Sequence, residues 1–528
     1  MLKKINLFAL SFNREIIHQK VHEYALFLLV IALPLSKFFL SVAQLIMVIN
    51  WLLWGNPIPK FKAFFNNKLA VVVTSLFFLH VVGLLYTQEF SYALKDLRIK
   101  LPLLALPIIL STSPKFTKSK TYWLLGFFAA SVLFGTFTSI LKLSGVFSDK
   151  IYDTRKISVF ISHIRFSLMI CLTLFFIVLA QLKSTKKQKI ALGIIALWLL
   201  LFLIIFESIT GIVVLAVLAL TFSFIGVVKL QNLKLKIATL CCFVVIPFLT
   251  IYPIYKEWNQ SFNVAPIESL KIASHSKNGE EYYNNLNRKE IENGNYVWVN
   301  VAWVELKNGW SKRSSIDFEE KDNRNQPVHA TLIRYMASKG LTKDAEGINK
   351  LTDKEIKLVE SGVSNYRFPT QKGLQARVYK ILWEFDHYFK GGNPSGNSVM
   401  QRLEFWKAGY VIAKQNPIIG VGTGDVKISF YEAYETINTQ LQKKYWLRAH
   451  NQYFTIFITF GFLGLAWFLV TLFYPVFNFP KNTFWYPYVG FLIIALVSFI
   501  SEDTLESQIG VTFFAFFNSF LLFGYHKD

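Results

Sequence analysis

Residues 209–228 read ITGIVVLAVLALTFSFIGVV, twenty consecutive positions without a charged side chain. A backbone in hydrocarbon must satisfy its own hydrogen bonds, so a run of this length is expected to cross a bilayer as a helix about 30 Å long. Runs of the same character lie on both sides of it. Together they predict spans near 23–37, 39–55, 68–86, 98–112, 121–143, 157–181, 188–205, 209–228, 235–253, 451–476, 484–501 and 507–525. The expected fold class is an all-α polytopic integral membrane protein of about 12 transmembrane helices. The first two runs and 98–112 are shorter than the roughly 20 residues an untilted helix needs, and a re-entrant path there would lower the count.

Composition agrees with burial in lipid. The 528 residues are 53% hydrophobic and 17% charged, well below the quarter typical of soluble domains. The formal charge of +23 lies in short Lys/Arg clusters between apolar runs, the pattern of topogenic charge, so no nucleic acid partner is expected. Cys171, Cys241 and Cys242 all fall in apolar runs, which leaves no disulfide framework or thiolate metal site in the loops. A largely polar stretch precedes the first run and no small-residue cleavage site follows it, so that run reads as the membrane-entry signal.

Lysine and arginine collect on alternate loops. Lys3, Lys4, Arg14 and Lys20 precede the first run, and Lys60, Lys62 and Lys68, then Lys115, Lys118 and Lys120, follow the second and fourth. Lys183, Lys186, Lys187 and Lys189 follow the sixth, Lys229, Lys234 and Lys236 the eighth, with Lys481 and Lys527 on the same side. The opposite loops carry Glu89, Asp96 and Arg98, then Asp149, Asp153 and Arg155, then Glu502, Asp503 and Glu506. By the positive-inside rule both termini are cytoplasmic, in a bacterial inner membrane. The segments are then a cytoplasmic 1–22, a transmembrane bundle over 23–253, a periplasmic domain over 254–450, a second bundle over 451–525 and a cytoplasmic tail 526–528.

The long external segment should fold, because structureless connections beyond about 15 residues are uncommon. Thr331–Ala345 has a helical apolar pattern that Gly340 can end, and Thr352 with Glu355 has capping-box spacing. A second helix through Val378, Ile381, Leu382, Phe385 and Phe389 ends at Lys390-Gly391-Gly392, and another begins near Arg402.

The chemistry-bearing residues gather at external helix ends. His450 stands at the mouth of a transmembrane run, where an imidazole with an unperturbed pKa of about 6.5 can take a proton from a hydroxyl. Arg448, Asn451 and Gln452 flank it with charge and neutral hydrogen-bonding groups, and Gly461 and Gly464 farther along are small enough to admit a close neighbour. Arg402 opens a helix that leads to the turn Asn416-Pro417-Ile418-Ile419-Gly420-Val421-Gly422-Thr423-Gly424-Asp425. Arg165, Arg98 and Lys100 lie at the outer starts of two further runs, and guanidinium groups there suit a diphosphate. Glu502, Asp503 and Glu506 are on the same side, where carboxylates can orient a histidine or an arginine or simply be solvated. No metal cluster is expected and no cofactor, since residues 420–424 lack the Lys-Ser order of a phosphate-binding loop.

These motifs resemble the O-antigen ligase and polymerase superfamily. Arg402 to Gly424 is similar to its Arg-x-x-x-Trp helix followed by Asn-Pro and Gly-x-Gly, and His450-Asn451 with Gly461 and Gly464 is similar to its His-Asn and spaced-glycine pattern. Glu502 to Gly510, and Ser338 to Asn365, look like ligase-family proteins of Bacteroidota. One departure is the stretch Glu207-Ser208-Ile209-Thr210-Gly211, where family members often carry a Ser-Arg pair. The resemblance implies a GT-C-like bundle with a large, mainly helical periplasmic domain between helices 9 and 10, and metal-independent, inverting glycosyl transfer. The donor would be a glycan on undecaprenyl diphosphate that enters from the membrane lipid. The acceptor would be lipid A-core sugar in a ligase, another lipid-linked glycan in a polymerase, or a protein in an oligosaccharyltransferase. His450 and Arg402 would be catalytic, with Arg165, Arg98, Arg448, Asn451 and Gln452 as substrate-binding candidates. A non-enzymatic transporter of lipid-linked glycans is the alternative class. It predicts midplane charges and paired repeats, neither of which is visible.

Overall fold

The computed structural model describes residues 2–146, 157–228, 231–266, 272–370, 374–480 and 485–525; Asp149, Asp153, Arg155, Lys229, Lys481 and Lys527 lie outside the described residues. The chain divides into two compact units. The first comprises residues 1–225, 404–439 and 446–528, and the second 226–403 and 440–445.

The first unit contains α1 (Leu2–Leu35), α2 (Lys37–Leu53), α3 (Pro57–Asn66), α4 (Lys68–Val82), α5 (Phe90–Thr112), α6 (Lys118–Leu143), α7 (His163–Gln181), α8 (Lys186–Ile205) and nearly all of α9 (Ile209–Val228). In the second unit lie α10 (Leu233–Ser261), α11 (Trp303–Ser311), α12 (Val328–Ser338), α13 (Ala345–Asn349), α14 (Asp353–Glu360), α15 (Arg367–Thr370) and α16 (Leu374–Phe389). The helix α17 (Ser398–Gln415) begins in the second unit and continues into the first, which also holds α18 (Val426–Thr436), α19 (Gln452–Asn478), α20 (Trp485–Ser501) and α21 (Gln508–Phe523).

The expectation of about 12 spans is corrected. Among the described residues seven helices are long and apolar enough to cross a membrane, or eight if α2 and α3 count as one path bent by 108°. The run 39–55 falls mostly in the 17-residue α2, too short alone, and Pro57 beyond it begins α3 after the bend. The run 98–112 belongs to α5, whose first half carries Lys95, Asp96, Arg98 and Lys100. The runs 484–501 and 507–525 form helices of only 17 and 16 residues. Every residue of α21 from Ile509 to Phe523 is buried, so it is a core helix that is apolar on all sides because protein surrounds it. The run 235–253 falls in α10, which is not among the seven. The molecule is an all-α, multi-pass membrane protein with fewer spans than its hydropathy alone predicts.

In the second unit a core forms around Trp310, Leu332, Tyr335, Met336, Ile348 and Val359. Helix α12 ends at Gly340 in the left-handed region, and α14 begins on the Thr352/Glu355 capping box. The two-residue strands β1 (Ile291–Glu292) and β2 (Asn295–Tyr296) pair across Asn293-Gly294, both at positive φ as a tight hairpin turn requires.

Candidate active site

The site of the first unit is framed by a break in α19. Gly461 has φ 64° and ψ −163°, a conformation that only glycine adopts readily, and the helix resumes beyond it. Such a break orphans backbone groups on both sides, which is costly where no water can reach them. The glycine turn fills the gap. Val421 N and Gly422 N donate to Ile458 O and Thr459 O at 3.0 and 2.9 Å, while Phe462 N and Leu463 N donate to Pro417 O and Ile418 O at 2.8 and 3.2 Å. Sequence spacing suggested that Gly461 admits a neighbouring helix; the neighbour is this turn, and the glycine serves conformation as well as close approach. A Cβ on Gly461 would strike the Ile418 carbonyl, and one on Gly420 would strike the backbone at Thr459 and Phe460.

The turn continues onto α4 and the start of α5. Thr423 Oγ1 donates to His80 O at 2.7 Å, Gly424 N donates to Thr87 Oγ1 at 2.8 Å, and the Asp425 carboxylate accepts from Gln88 N and Glu89 N at 2.9 and 2.8 Å. Gly461→Ala is expected to destabilise the protein by about 1–3 kcal/mol through backbone strain, plus the cost of displacing the turn. A thermal midpoint of the solubilised variant equal to that of the parent would show that the break is not needed.

Immediately before α19 the chain presents His450. Its φ is +47°, an unusual conformation for a residue with a Cβ. Asp503 holds it there, since Oδ2 accepts from His450 N at 3.0 Å while Oδ1 accepts from Thr455 Oγ1 at 2.7 Å. Burial pushes the Asp503 carboxyl above its ordinary range, partly opposed by the charge of His450. The imidazole stacks on Phe405 of α17 with centroids 5.5 Å apart. Its Nδ1 is buried without a hydrogen-bond partner and stands 3.7 Å from Glu502 Oε1. The side chain as a whole is 32% exposed. Asn451 caps α19: its Oδ1 accepts from Phe454 N and its Nδ2 donates to Ile500 O, both at 3.0 Å.

Behind His450 lies a buried charge cluster. Glu506 meets Lys100 Nζ at 2.8 Å and pairs closely with the Arg448 guanidinium. Lys100 is fully buried and also donates to Leu505 O at 2.8 Å, with Asp96 3.5 Å away. Arg448 further contacts the Tyr92 hydroxyl. Gln452 completes the set by donating to Glu506 Oε1 at 3.2 Å and accepting from Leu505 N at 2.8 Å. Burial alone would raise the Glu506 carboxyl, but Lys100 and Arg448 outweigh it and hold the group well below the usual carboxylate range.

The structure therefore brings His450, Arg448, Asn451 and Gln452 together with Glu502, Asp503 and Glu506 at one helix mouth. Arg448 is engaged with the Glu506 and Tyr92 side chains, Gln452 with Glu506 and the Leu505 N–H, and Asn451 with the start of α19 and Ile500 O. Arg98 is exposed on α5, two residues from the buried Lys100. Arg165 stands in the first turn of α7, with one guanidinium nitrogen 3.1 Å from Ser162 Oγ and its Nε buried without a partner. Arg402 is half-buried on the part of α17 that belongs to the second unit. Sequence reasoning passed over Tyr92, Thr455 and Phe405. The i, i+4 spacing of Asp96 and Lys100 was the available signal that α5 carries an internal ion pair.

An apolar groove of about 440 Å³ opens between α2, α3 and α5, lined by Leu45, Val48, Phe61, Leu104 and Ile108 among others. Among the described residues no group of three or more His, Cys, Asp or Glu side chains is placed to hold a metal ion.

No curated protein matches the chain. Residues 353–469 match the family described as O-antigen ligase (Wzy_C), so the chain carries an O-antigen-ligase-like domain that takes in Arg402, the glycine turn, His450 and the break in α19.

Proposed function

We propose that the protein is a metal-independent, inverting glycosyltransferase that moves a glycan from undecaprenyl diphosphate to lipid A-core sugar on the periplasmic face of a bacterial inner membrane. The observation that carries this reading is His450: a solvent-reachable imidazole held in a strained backbone conformation, with a carboxylate behind Nδ1, inside the segment similar to O-antigen ligases. Strain maintained by a buried carboxylate is typical of functional positions.

In this reading Nε2 of His450 takes the proton of the acceptor hydroxyl, and Glu502 stabilises the imidazolium that results. The acceptor oxygen bonds to the anomeric carbon as the bond from that carbon to the diphosphate oxygen breaks, with inversion. The electron pair leaves with undecaprenyl diphosphate. Arg165 offsets the charge that grows on the departing diphosphate, and Arg402 is assigned the same role on the motif resemblance alone. The unpartnered Nε of Arg165 and the apolar groove beside α5 support a lipid-linked donor. The distribution of lysines along the sequence supports the external orientation.

Reconstitution in proteoliposomes with an undecaprenyl-diphosphate-linked glycan and separate acceptors tests the reading by product mass. Glycosylated lipid A-core supports it. A longer lipid-linked polymer or a glycoprotein would assign the chain to polymerase or protein glycosylation, and transbilayer movement without bond transfer would make it a transporter. Arg402→Ala is expected to impair use of the donor more than Arg402→Lys, which keeps the charge but loses the planar fork. Full activity of both variants would remove Arg402 from the diphosphate site.

A further inference from the structure

The second unit contains a cavity of about 430 Å³, within the range of small-molecule sites. Its wall is half polar in character and includes Asn295, Tyr296, Asn300, Thr342 and Lys343, together with Gly294 and Gly340. The two glycines have φ of 84° and 69°, where side chains are rarely tolerated.

Lys343 is the unusual member. It is only 5% exposed, and its ammonium donates to Tyr296 O and Val299 O at 3.0 and 2.9 Å. An ammonium has three donors, so one remains. Among the described residues no carboxylate makes an ion pair with it; the adjacent Asp344 is occupied by Gly347 N at 2.8 Å and by the Tyr282 hydroxyl. Burial pulls the Lys343 pKa down to about 8 despite Asp344, the mark of a cation short of a counter-charge.

Asn300 is the second member. It adopts φ +56°, fixed by its N–H on Asn284 Oδ1 at 2.7 Å and by its carbonyl, which accepts from Lys343 N at 3.0 Å. Those bonds engage the backbone, while the side-chain Oδ1 is buried and has no hydrogen-bond partner. A buried amide oxygen without a donor and a buried ammonium without an anion on one cavity wall are each costly, and a ligand with both hydroxyl and carboxylate groups answers both.

We propose that this cavity is a subsite for an acidic sugar residue, whose carboxylate pairs with the Lys343 ammonium and whose hydroxyls bond to Asn295, Asn300 and Thr342. Its place in the reaction rests on the glycan-transfer reading above, while the recognition chemistry does not. The subsite selects uronate-bearing glycans over neutral ones.

The full chain in detergent is titrated with a disaccharide of glucuronic acid and N-acetylglucosamine, with its carboxyl-reduced form, and with inorganic phosphate. The acidic disaccharide is expected to bind at least about tenfold more tightly than the reduced form, the share of a charge-assisted bond. Asn300→Asp, which tolerates the left-handed backbone and adds a negative charge to the wall, is expected to weaken the acidic disaccharide at least about tenfold with a thermal midpoint no lower than the parent's. Lys343→Met should do the same, and Asn300→Asp alone decides if that variant fails to fold. Binding should survive His450→Ala. No binding, equal binding of both disaccharides, phosphate binding as tightly as the acidic disaccharide, or indifference to Asn300→Asp would each overturn the subsite. Intact selective binding in a protein that transfers no glycan would overturn the transfer reading and leave the subsite standing.

Discussion

His450→Ala is expected to lower glycan transfer by at least about a hundredfold, the lower end of what a positioned general base contributes, in a protein that still inserts and folds. The ring makes no side-chain hydrogen bond through Nδ1, so its removal breaks the stack on Phe405, the approach to Glu502 and the electrostatic contact with Asp503. The backbone anchor on Asp503 uses the peptide N–H and survives the substitution. Because φ is +47°, His450→Asn is the informative companion, as asparagine accepts the left-handed region with little strain. Both variants should lose transfer equally. Restoration of activity by asparagine would mean that conformation, and not a proton acceptor, is what position 450 supplies.

Glu506→Gln should be the most destabilising of the isosteric changes at this helix mouth. It leaves Lys100, with no exposed surface, and Arg448 adjacent to one another with Asp96 as the carboxylate nearest to Lys100 and only Asp96, Asp503 and the Tyr92 hydroxyl to offset Arg448. Removal of one partner from a buried ion pair typically costs about 3–5 kcal/mol. The double variant Lys100→Met with Glu506→Gln should recover much of that loss, because the stranded ammonium is gone. Denaturation of the solubilised proteins checks both; additive losses would mean that Lys100 and Glu506 do not interact. The pH dependence has a definite sign. The folded Glu506 value lies below the ordinary carboxylate value of about 4.3, so the unfolded chain takes up the proton first. Its contribution is complete above that value and is lost as pH falls toward the folded one. Glu506→Gln should flatten this acid limb.

Hydropathy made the membrane class legible, yet it could not distinguish a helix that touches lipid from one that touches protein. The sequence of α21 carries no charged residue, as a span would, but it is only 16 residues long and is buried from Ile509 to Phe523. In α5 two of the charges that interrupt its hydropathy, Asp96 and Lys100, belong to an internal ion cluster, whereas Lys95 and Arg98 are exposed. The position of His450 at a helix start was readable because helix mouths and polar caps follow local rules, and Asn451 is an N-cap of the ordinary kind. Its partners were not readable in detail. Glu502, Asp503 and Glu506 lie more than fifty positions away, and which carboxylate serves the ring, the peptide or the guanidinium is settled only by packing. The glycines were recognised by their spacing, while the exchange of four backbone hydrogen bonds between residues 417–422 and 458–463 has no signature in side-chain pattern.

That exchange bears on how the chain is made. The strip 417–422 emerges from the ribosome roughly forty residues before the segment it must join, and at 5–20 residues per second this gives it a lead of a few seconds. When 452–478 is made, its complementary strip has already been synthesised, so the break in the helix can be satisfied without a delay in which it faces acyl chains. A circular permutation that reversed this order would preserve every residue and every contact, yet would ask the membrane to shelter the interruption until its complement appeared. Translation order is in this sense part of the information that the sequence carries.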